Sequence, residues 1–167
     1  MPGLVRAFDS CLIFMPVLAI NKRASFDYEV LDKYEAGIVL AGHEVKAVRA
    51  GNVNLKAAYV IMQAGKGGLP EACLINAHIS LYKYASTIKD YDPTRSRKLL
   101  LKAKEINYLM GKSKEQGLTL VPLSIYTKSR FLKLEFALAR GKKKFDKRED
   151  LKKKDLDRES RAMMKRH

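Results

Sequence analysis

The side chains of this sequence best suited to chemistry are cations, and they come in groups. NKRA (Asn21 to Ala24), EVKAVRAG (Glu44 to Gly51), DPTRSRKLLL (Asp92 to Leu101) and GKKKFDKR (Gly141 to Arg148) each set Lys or Arg beside small, turn-forming or aromatic neighbours. Such ammonium and guanidinium groups neutralise phosphates and release their counterions, the sequence-independent part of nucleic-acid binding. Over the whole chain 33 Lys and Arg stand against 18 Asp and Glu, a formal charge of +15 that exceeds what solubility requires and suits a polyanion. An anionic membrane surface is the rival partner. A surface helix, however, needs a large apolar face opposite its basic one, and the most basic segment, from Gly141 onward, lacks it. No membrane association is expected.

Catalytic signals are weaker. His43, His78 and His167 have no spacing that suits metal ligation, and Cys11 and Cys73 do not make a zinc site. GKGG at Gly65 to Gly68 lacks the flanks of a phosphate-cradling loop and suits a turn. Acid pairs such as Glu29 with Asp32 or Asp90 with Asp92 could do acid–base work. In a basic chain such acids are more simply solvated or paired with lysine, and no nucleophile, base and orienting group come together. The expectation is a binding protein without cofactor or metal. Two distant cysteines fit a reducing cytoplasm. The apolar run Cys11 to Ile20 is about half the length of a membrane helix and is interrupted by Pro16.

The elements that position these groups read as mostly β. FLKLEFALA (Phe131 to Ala139) alternates Leu132, Leu134, Phe136 and Leu138 with Lys133 and Glu135, the period of a half-buried strand. Leu118 to Lys128 is β-branched and aromatic with Pro122 inside, hence a strand with a bulge or an edge there, joined to the first through Ser129 and Arg130. Ala58 to Gln63 and Glu71 to Ile79 form a second hairpin around the glycines, and Tyr28 to Gly42 is extended. Val45 to Gly51 reads as a short helix ended by glycine. Leu99 to Gly111 reads as a longer one, with Leu99, Ala103, Ile106 and Met110 on one face and Gly111 closing it. Composition shifts once, at Gly141, so one domain carries an appendage.

That appendage holds thirteen basic and six acidic residues between positions 140 and 167, and after Phe145 its only large apolar residues are Leu151, Leu156, Met163 and Met164. It still favours helix locally. Glu149 with Lys153, Asp150 with Lys154 and Asp157 with Arg161 are acid-before-base pairs at i,i+4, each worth roughly 0.2–0.5 kcal/mol. The expected behaviour is a tail disordered when free and helical where a partner supplies the surface.

The four basic stretches also carry a resemblance. With AGIVL before the second, YDP in the third, EI and VPLSIY after the helix, and GKK followed by DKR at the end, the chain resembles the SsrA-binding protein family, also called small protein B, from about Leu18 to Arg161. The resemblance implies a small oligonucleotide-binding (OB)-type β-barrel with flanking helices. It also implies an RNA-binding factor that takes the tRNA-like domain of tmRNA, with elongation factor Tu, to a stalled ribosome for trans-translation. Motif by motif, it implies tmRNA contacts at Asn21, Glu35 and Leu100, with Lys22, Lys46, Arg49, Arg95, Arg97 and Lys98 as phosphate contacts. For the tail it implies helix formation in the decoding centre and empty mRNA path, with Lys142, Lys143, Asp146, Lys147 and Arg148 near RNA.

Two departures from the family pattern follow. Phe145 stands where many members have His before DKR, so stacking replaces a hydrogen bond there. Members commonly begin close to MPVLAINKRA, so residues 1–14 read as an extension and Met15 as the expected start. The expected organisation is an extension over 1–14, a barrel over 15–140 and a basic tail over 141–167, in a monomer. A general RNA-binding or ribosome-associated OB-fold protein is the alternative, and a nuclease on a similar barrel is a more distant one.

Overall fold

A computed structural model describes residues 16–65, 68–85, 90–115, 117–143, 156, 159–161 and 163–164. Its strands are β1 (Val17–Ile20), β2 (Tyr28–Ile38), β3 (Val53–Asn54), β4 (Tyr59–Ala64), β5 (Pro70–Ile75), β6 (His78–Ile79), β7 (Arg97–Leu100), β8 (Leu118–Lys128) and β9 (Phe131–Gly141). The helices are α1 (Ala24–Asp27), α2 (Gly42–Arg49) and α3 (Ala103–Ser113).

Alternation sets the inside and outside of the strands. On β9, Leu132, Leu134, Phe136 and Leu138 are buried while Lys133 and Glu135 face outward, as the two-residue period requires. Seven strands form one sheet in the order β1-β8-β4-β5-β7-β2-β9, and β8 pairs with β9 as well, which closes a ring. Each of these pairings is antiparallel. Closure gives each strand of the ring a neighbour on both sides, and β1, paired with β8 alone, keeps one open edge. Strand β8 serves three neighbours: β9 along its length, β4 where Val60 faces Leu120, and β1 where Ile20 faces Ser124. The bulge expected at Pro122 is present, as a register shift between Pro122 and Ser124.

The ring encloses a core that includes Leu74, Leu99, Leu120, Ile125, Leu134 and Phe136, with Ala47 and Val48 of α2 and Leu109 of α3 joining it. Helix α3 packs over β4, β5 and β8, and burying a leucine such as Leu109 contributes about 1.5–3 kcal/mol. Gly51, at φ +79°, ends α2 as expected: the N–H groups of Gly51 and Asn52 return to the carbonyls of Val48 and Ala47 at 2.9 Å each.

Several boundaries differ from the sequence reading. Leu99 and Leu100 belong to β7, and α3 begins at Ala103, runs through Gly111 to Ser113 and buries Leu109 rather than Ala103. An apolar run such as LLL carries no period that separates strand from helix. The second hairpin is β4–β5, and its far end is broken by a turn at Asn76 before β6. Val17 to Ile20, read as part of an apolar run, pairs as β1. The first fourteen residues and Met15 lie outside the described residues.

Candidate nucleic-acid interface

Strand register assembles one outward surface from distant segments. On β2, Glu35 lies opposite Glu135 of β9, and Gly37 lies between Lys133 of β9 and Leu100 of β7. On β8, Tyr126 lies opposite Lys133, and Ser124 opposite Glu135. Residues directly opposite one another in a ladder share a face. Lys98, Leu100, Glu35, Lys133 and Tyr126 therefore form a band across four strands. Gly37 has a specific task in it: a Cβ there would come within 3.3 Å of the Leu100 Cβ. Its absence lets the Leu100 side chain lie against the β2 backbone at Gly37, 56% exposed.

Glu35 is the electrostatic centre of this band. Its carboxylate accepts a hydrogen bond from the Tyr126 hydroxyl, others from Lys128 Nζ at 3.1 and 3.3 Å, and pairs with Lys133 Nζ at 3.4 Å. The Tyr126 hydrogen bond is the main cause holding its carboxyl below the usual range, with Lys128 and Lys133 adding to it. Burial and the facing carboxylate push the Tyr126 phenol upward, so at neutral pH a protonated phenol donates to an ionised carboxylate. An ionised carboxylate only accepts, and so selects donors such as base amino groups or 2′-hydroxyls. Lys33 pairs with Glu135 at 3.5 Å, and Lys98 with Glu71 at 2.6 Å. Both lysines are exposed and at surface distances that give up such pairs cheaply.

Asn21 sits at the end of the band and is nearly buried. Its side-chain amide donates to the carbonyls of Leu55 at 3.2 Å and Pro122 at 3.0 Å, while its backbone N–H reaches Leu123 O at 2.7 Å. Those bonds satisfy the β8 bulge that Pro122 creates, so Asn21 first shapes the surface. Together with Lys22, Ser25, Lys33 and Glu135 it lines a shallow groove continuous with the Glu35 band. The tail leaves from the same end, where Lys142 donates from its N–H to Asp27 O at 2.9 Å and from Nζ to Ser25 O at 3.2 Å.

The cations of DPTRSRKLLL divide. Arg97, expected to meet phosphate, is buried, which corrects that expectation. Every nitrogen of its guanidinium donates: Nε to Glu44 Oε1 at 3.0 Å, Nη1 to the carbonyls of Ala77 and Arg95 at 2.6 and 3.0 Å, and Nη2 to Pro93 O at 2.9 Å and Tyr91 Oη at 3.3 Å. The physical reason is strand phase, because Arg97 alternates with Lys98 and points inward with Leu99. Arg95 also binds the buried Glu44 carboxylate, through Nε at 2.9 Å and through Nη2, but keeps 38% of its side chain exposed. Glu44, on the first turn of α2, further accepts from Ala41 N–H at 2.9 Å and Tyr91 hydroxyl at 3.2 Å. Burial alone would push its carboxyl up. The bonds from Arg95, Ala41 and Arg97 outweigh it and hold the carboxyl at about 2.

Thus Glu44 ties α2 to the segment entering β7, and so fixes Lys46 and Arg49 relative to Lys98 and Leu100. Lys46 and Arg49 are exposed on α2, and Arg49 donates to Arg130 O in the β8–β9 turn at 3.3 Å. Lys22 is exposed beside Asn21. Phe145, Asp146, Lys147 and Arg148 lie outside the described residues. Further along the tail, Leu156, Glu159, Ser160, Arg161, Met163 and Met164 are helical and exposed, with Ser160 Oγ donating to Leu156 O at 2.8 Å. Sequence reasoning missed Glu44, Tyr126, Lys128 and Lys133. The alternation of Lys133 and Tyr126 with inward residues was a usable signal for the last three.

A small closed antiparallel barrel with a basic outer band centred on an acceptor carboxylate is an OB-type nucleic-acid-binding module. The chain belongs to the SmpB protein family, whose model matches residues 18–166. It is 54% identical over 143 residues to an SsrA-binding protein of Sulfurihydrogenibium sp. (strain YO3AOP1), covering 86% of this chain and 90% of that one. It is 52% identical over 149 residues to an SsrA-binding protein of Cupriavidus necator, covering 89% and 95%. A solved structure described as "tmRNA-SmpB: a journey to the center of the bacterial ribosome" matches with TM-score 0.61 at 44% identity, over 75% of this chain and 85% of its own.

Proposed function

We propose that this protein binds the tRNA-like domain of tmRNA and delivers it to stalled ribosomes for trans-translation, as an RNA-binding factor rather than an enzyme. The observation that carries the reading is that Glu35 and Leu100, from two separate family motifs, lie on one exposed face, Leu100 opposite Gly37 two residues along β2 from Glu35, together with Lys98, Lys128 and Lys133. The face reads a folded RNA by phosphates and sugar hydroxyls, with Glu35 taking the donors. Asn21 holds the neighbouring surface in shape, and Lys22, Lys46, Arg49 and Arg95 extend the field. The protein acts as a monomer in the bacterial cytoplasm, and elongation factor Tu joins through the aminoacylated tmRNA. Among the described residues no helix is long and apolar enough to cross a membrane. Lys142, Lys143, Phe145, Asp146, Lys147 and Arg148 lead the tail into the decoding centre and the vacant mRNA path.

Filter binding of a tRNA-like-domain transcript tests the face. Glu35→Ala removes charge-assisted hydrogen bonds and is expected to weaken binding by about tenfold or more, whereas Glu29→Ala, at an exposed acid of the same strand, changes it by less than about threefold. With about five phosphates neutralised, log K should fall against log salt with a slope of about −4. Equal losses from the two glutamates would refute the assigned face. A second expectation isolates the geometry. Leu100→Ala removes this exposed side chain without altering charge, so affinity should drop several-fold while the salt slope stays close to the parent value; an unchanged affinity would show that Leu100 is not a contact.

A further inference from the structure

The turn after β6 carries Tyr82, Lys83 and Tyr84, to which the tRNA-like-domain face gives no role, beside the cations of α2. Tyr82 packs against the barrel core, and its carbonyl accepts from Ala85 N–H at 2.8 Å, so Lys83 and Tyr84 sit at the tip of an ordered turn. Tyr84 is 77% exposed. Its ring meets that of Tyr82 edge-on, with centroids 5.5 Å apart, and Lys83 Nζ lies 5.9 Å from its centre. Lys46 of α2 reaches over the Tyr82 ring at 5.8 Å. One turn further along α2, Arg49 is anchored to the Arg130 carbonyl, and both cations stay exposed. Bases stack on exposed aromatic rings without regard to sequence.

We infer that this corner is a second RNA contact, in which an unpaired nucleobase stacks on Tyr84 while Lys46 and Arg49 hold the phosphates beside it. The two cations stand three residues apart on one helix face, about 5–6 Å between Cβ atoms, and so follow a single backbone. Tyr82 supports the platform from below and roots it in the core. The site takes single-stranded RNA of any sequence, in contrast to the folded RNA read by the Glu35 band. It rests on the proposed function in that the partner is RNA, and it shares Lys46 and Arg49 with the field proposed there; Tyr84 is its own.

The test uses the full chain and fluorescein-labelled octauridylate, beside a tRNA-like-domain transcript. Tyr84→Ala keeps every charge, so a purely electrostatic contact would not notice it. The inference expects octauridylate affinity to fall roughly fivefold or more with the salt slope unchanged, and expects Tyr108→Ala, at an exposed tyrosine of α3, to leave it within about twofold. Lys46→Gln should lower both the affinity and the slope. Because the chain has no tryptophan, Tyr84→Trp supplies a single fluorophore, whose emission should change as octauridylate is added. Loss of octauridylate affinity in Tyr84→Ala, or a saturable change in the Trp emission, supports the platform. No octauridylate binding, or binding indifferent to Tyr84→Ala with constant Trp emission, overturns it. If octauridylate fails while the transcript binds, the inference alone is lost; failure of the transcript sinks the proposed function.

Discussion

Glu44→Ala is expected to destabilise the barrel by about 3–5 kcal/mol, because it leaves the guanidinium of Arg97 buried without its counter-charge. For a chain of this size that corresponds to a fall in melting temperature of about 10 °C or more. Arg97→Lys should be nearly as damaging although it preserves the charge, since an ammonium cannot reproduce the planar fork that reaches Glu44, Ala77, Arg95 and Pro93 together. The same network gives a pH signature. The Glu44 carboxyl lies at about 2 in the folded chain against an ordinary value of 4.5. A depressed carboxyl contributes stability that is complete above the unfolded value and is lost as pH falls from about 4.5 toward 2, on the order of 3 kcal/mol in all. Thermal melts of parent and Glu44→Gln across pH 7 to 3 check this: the parent should lose stability more steeply below pH about 4.5, and parallel curves would remove Glu44 from the account.

Replacing Asp146, Lys147 and Arg148 together with alanine is expected to abolish peptide tagging on ribosomes stalled at a truncated message, while affinity for the tRNA-like domain stays within about threefold. The separation follows from the proposed roles: Asp146, Lys147 and Arg148 are assigned to the ribosome, whereas the tRNA-like domain is assigned to Glu35, Leu100 and the lysines around them, and Lys142 ties the start of the tail to Ser25 and Asp27. Leu156→Pro makes the complementary change. Leu156 is helical and exposed, and an interior proline costs a helix about 3 kcal/mol without removing a charge. A tail acting only through its charge would tolerate it, whereas a tail that works as a helix loses tagging. Tagging of a nonstop reporter, measured beside filter binding, decides between them; tagging that persists in either variant, or binding that falls in step with tagging, contradicts the proposed role of the tail.

Where local pattern determines structure, the sequence was readable. Leu132 to Leu138 alternate strictly, and β9 follows them; Pro122 cannot donate to a ladder, and β8 bulges at that point. Gly51 ends α2 because the chain there takes a left-handed turn. What could not be read depends on long-range register. Glu35 and Leu100 are far apart in sequence, and they come onto one face only when β2 pairs with β7, where Gly37 lies opposite Leu100. The resemblance to a family supplied the two residues, and the ladder supplied the reason they act together. Arg97 misled because charge in a sequence reads as surface; its burial depends on β7 starting early enough to put it in phase with Leu99, and on Glu44 arriving from another element. Leu99 misled for a related reason, since three consecutive leucines fit a buried strand and a helix equally well.

Recovery of RNA bound to the full chain in bacterial cells, followed by sequencing, tests tmRNA binding through the Glu35 face directly when the parent is set beside Glu35→Ala. With the parent, tmRNA is expected to dominate, far above its share of cellular RNA and above bulk tRNA, and Glu35→Ala to lose most of that enrichment. A broad spread of RNAs in proportion to their abundance, or tmRNA enrichment indifferent to Glu35, would contradict it.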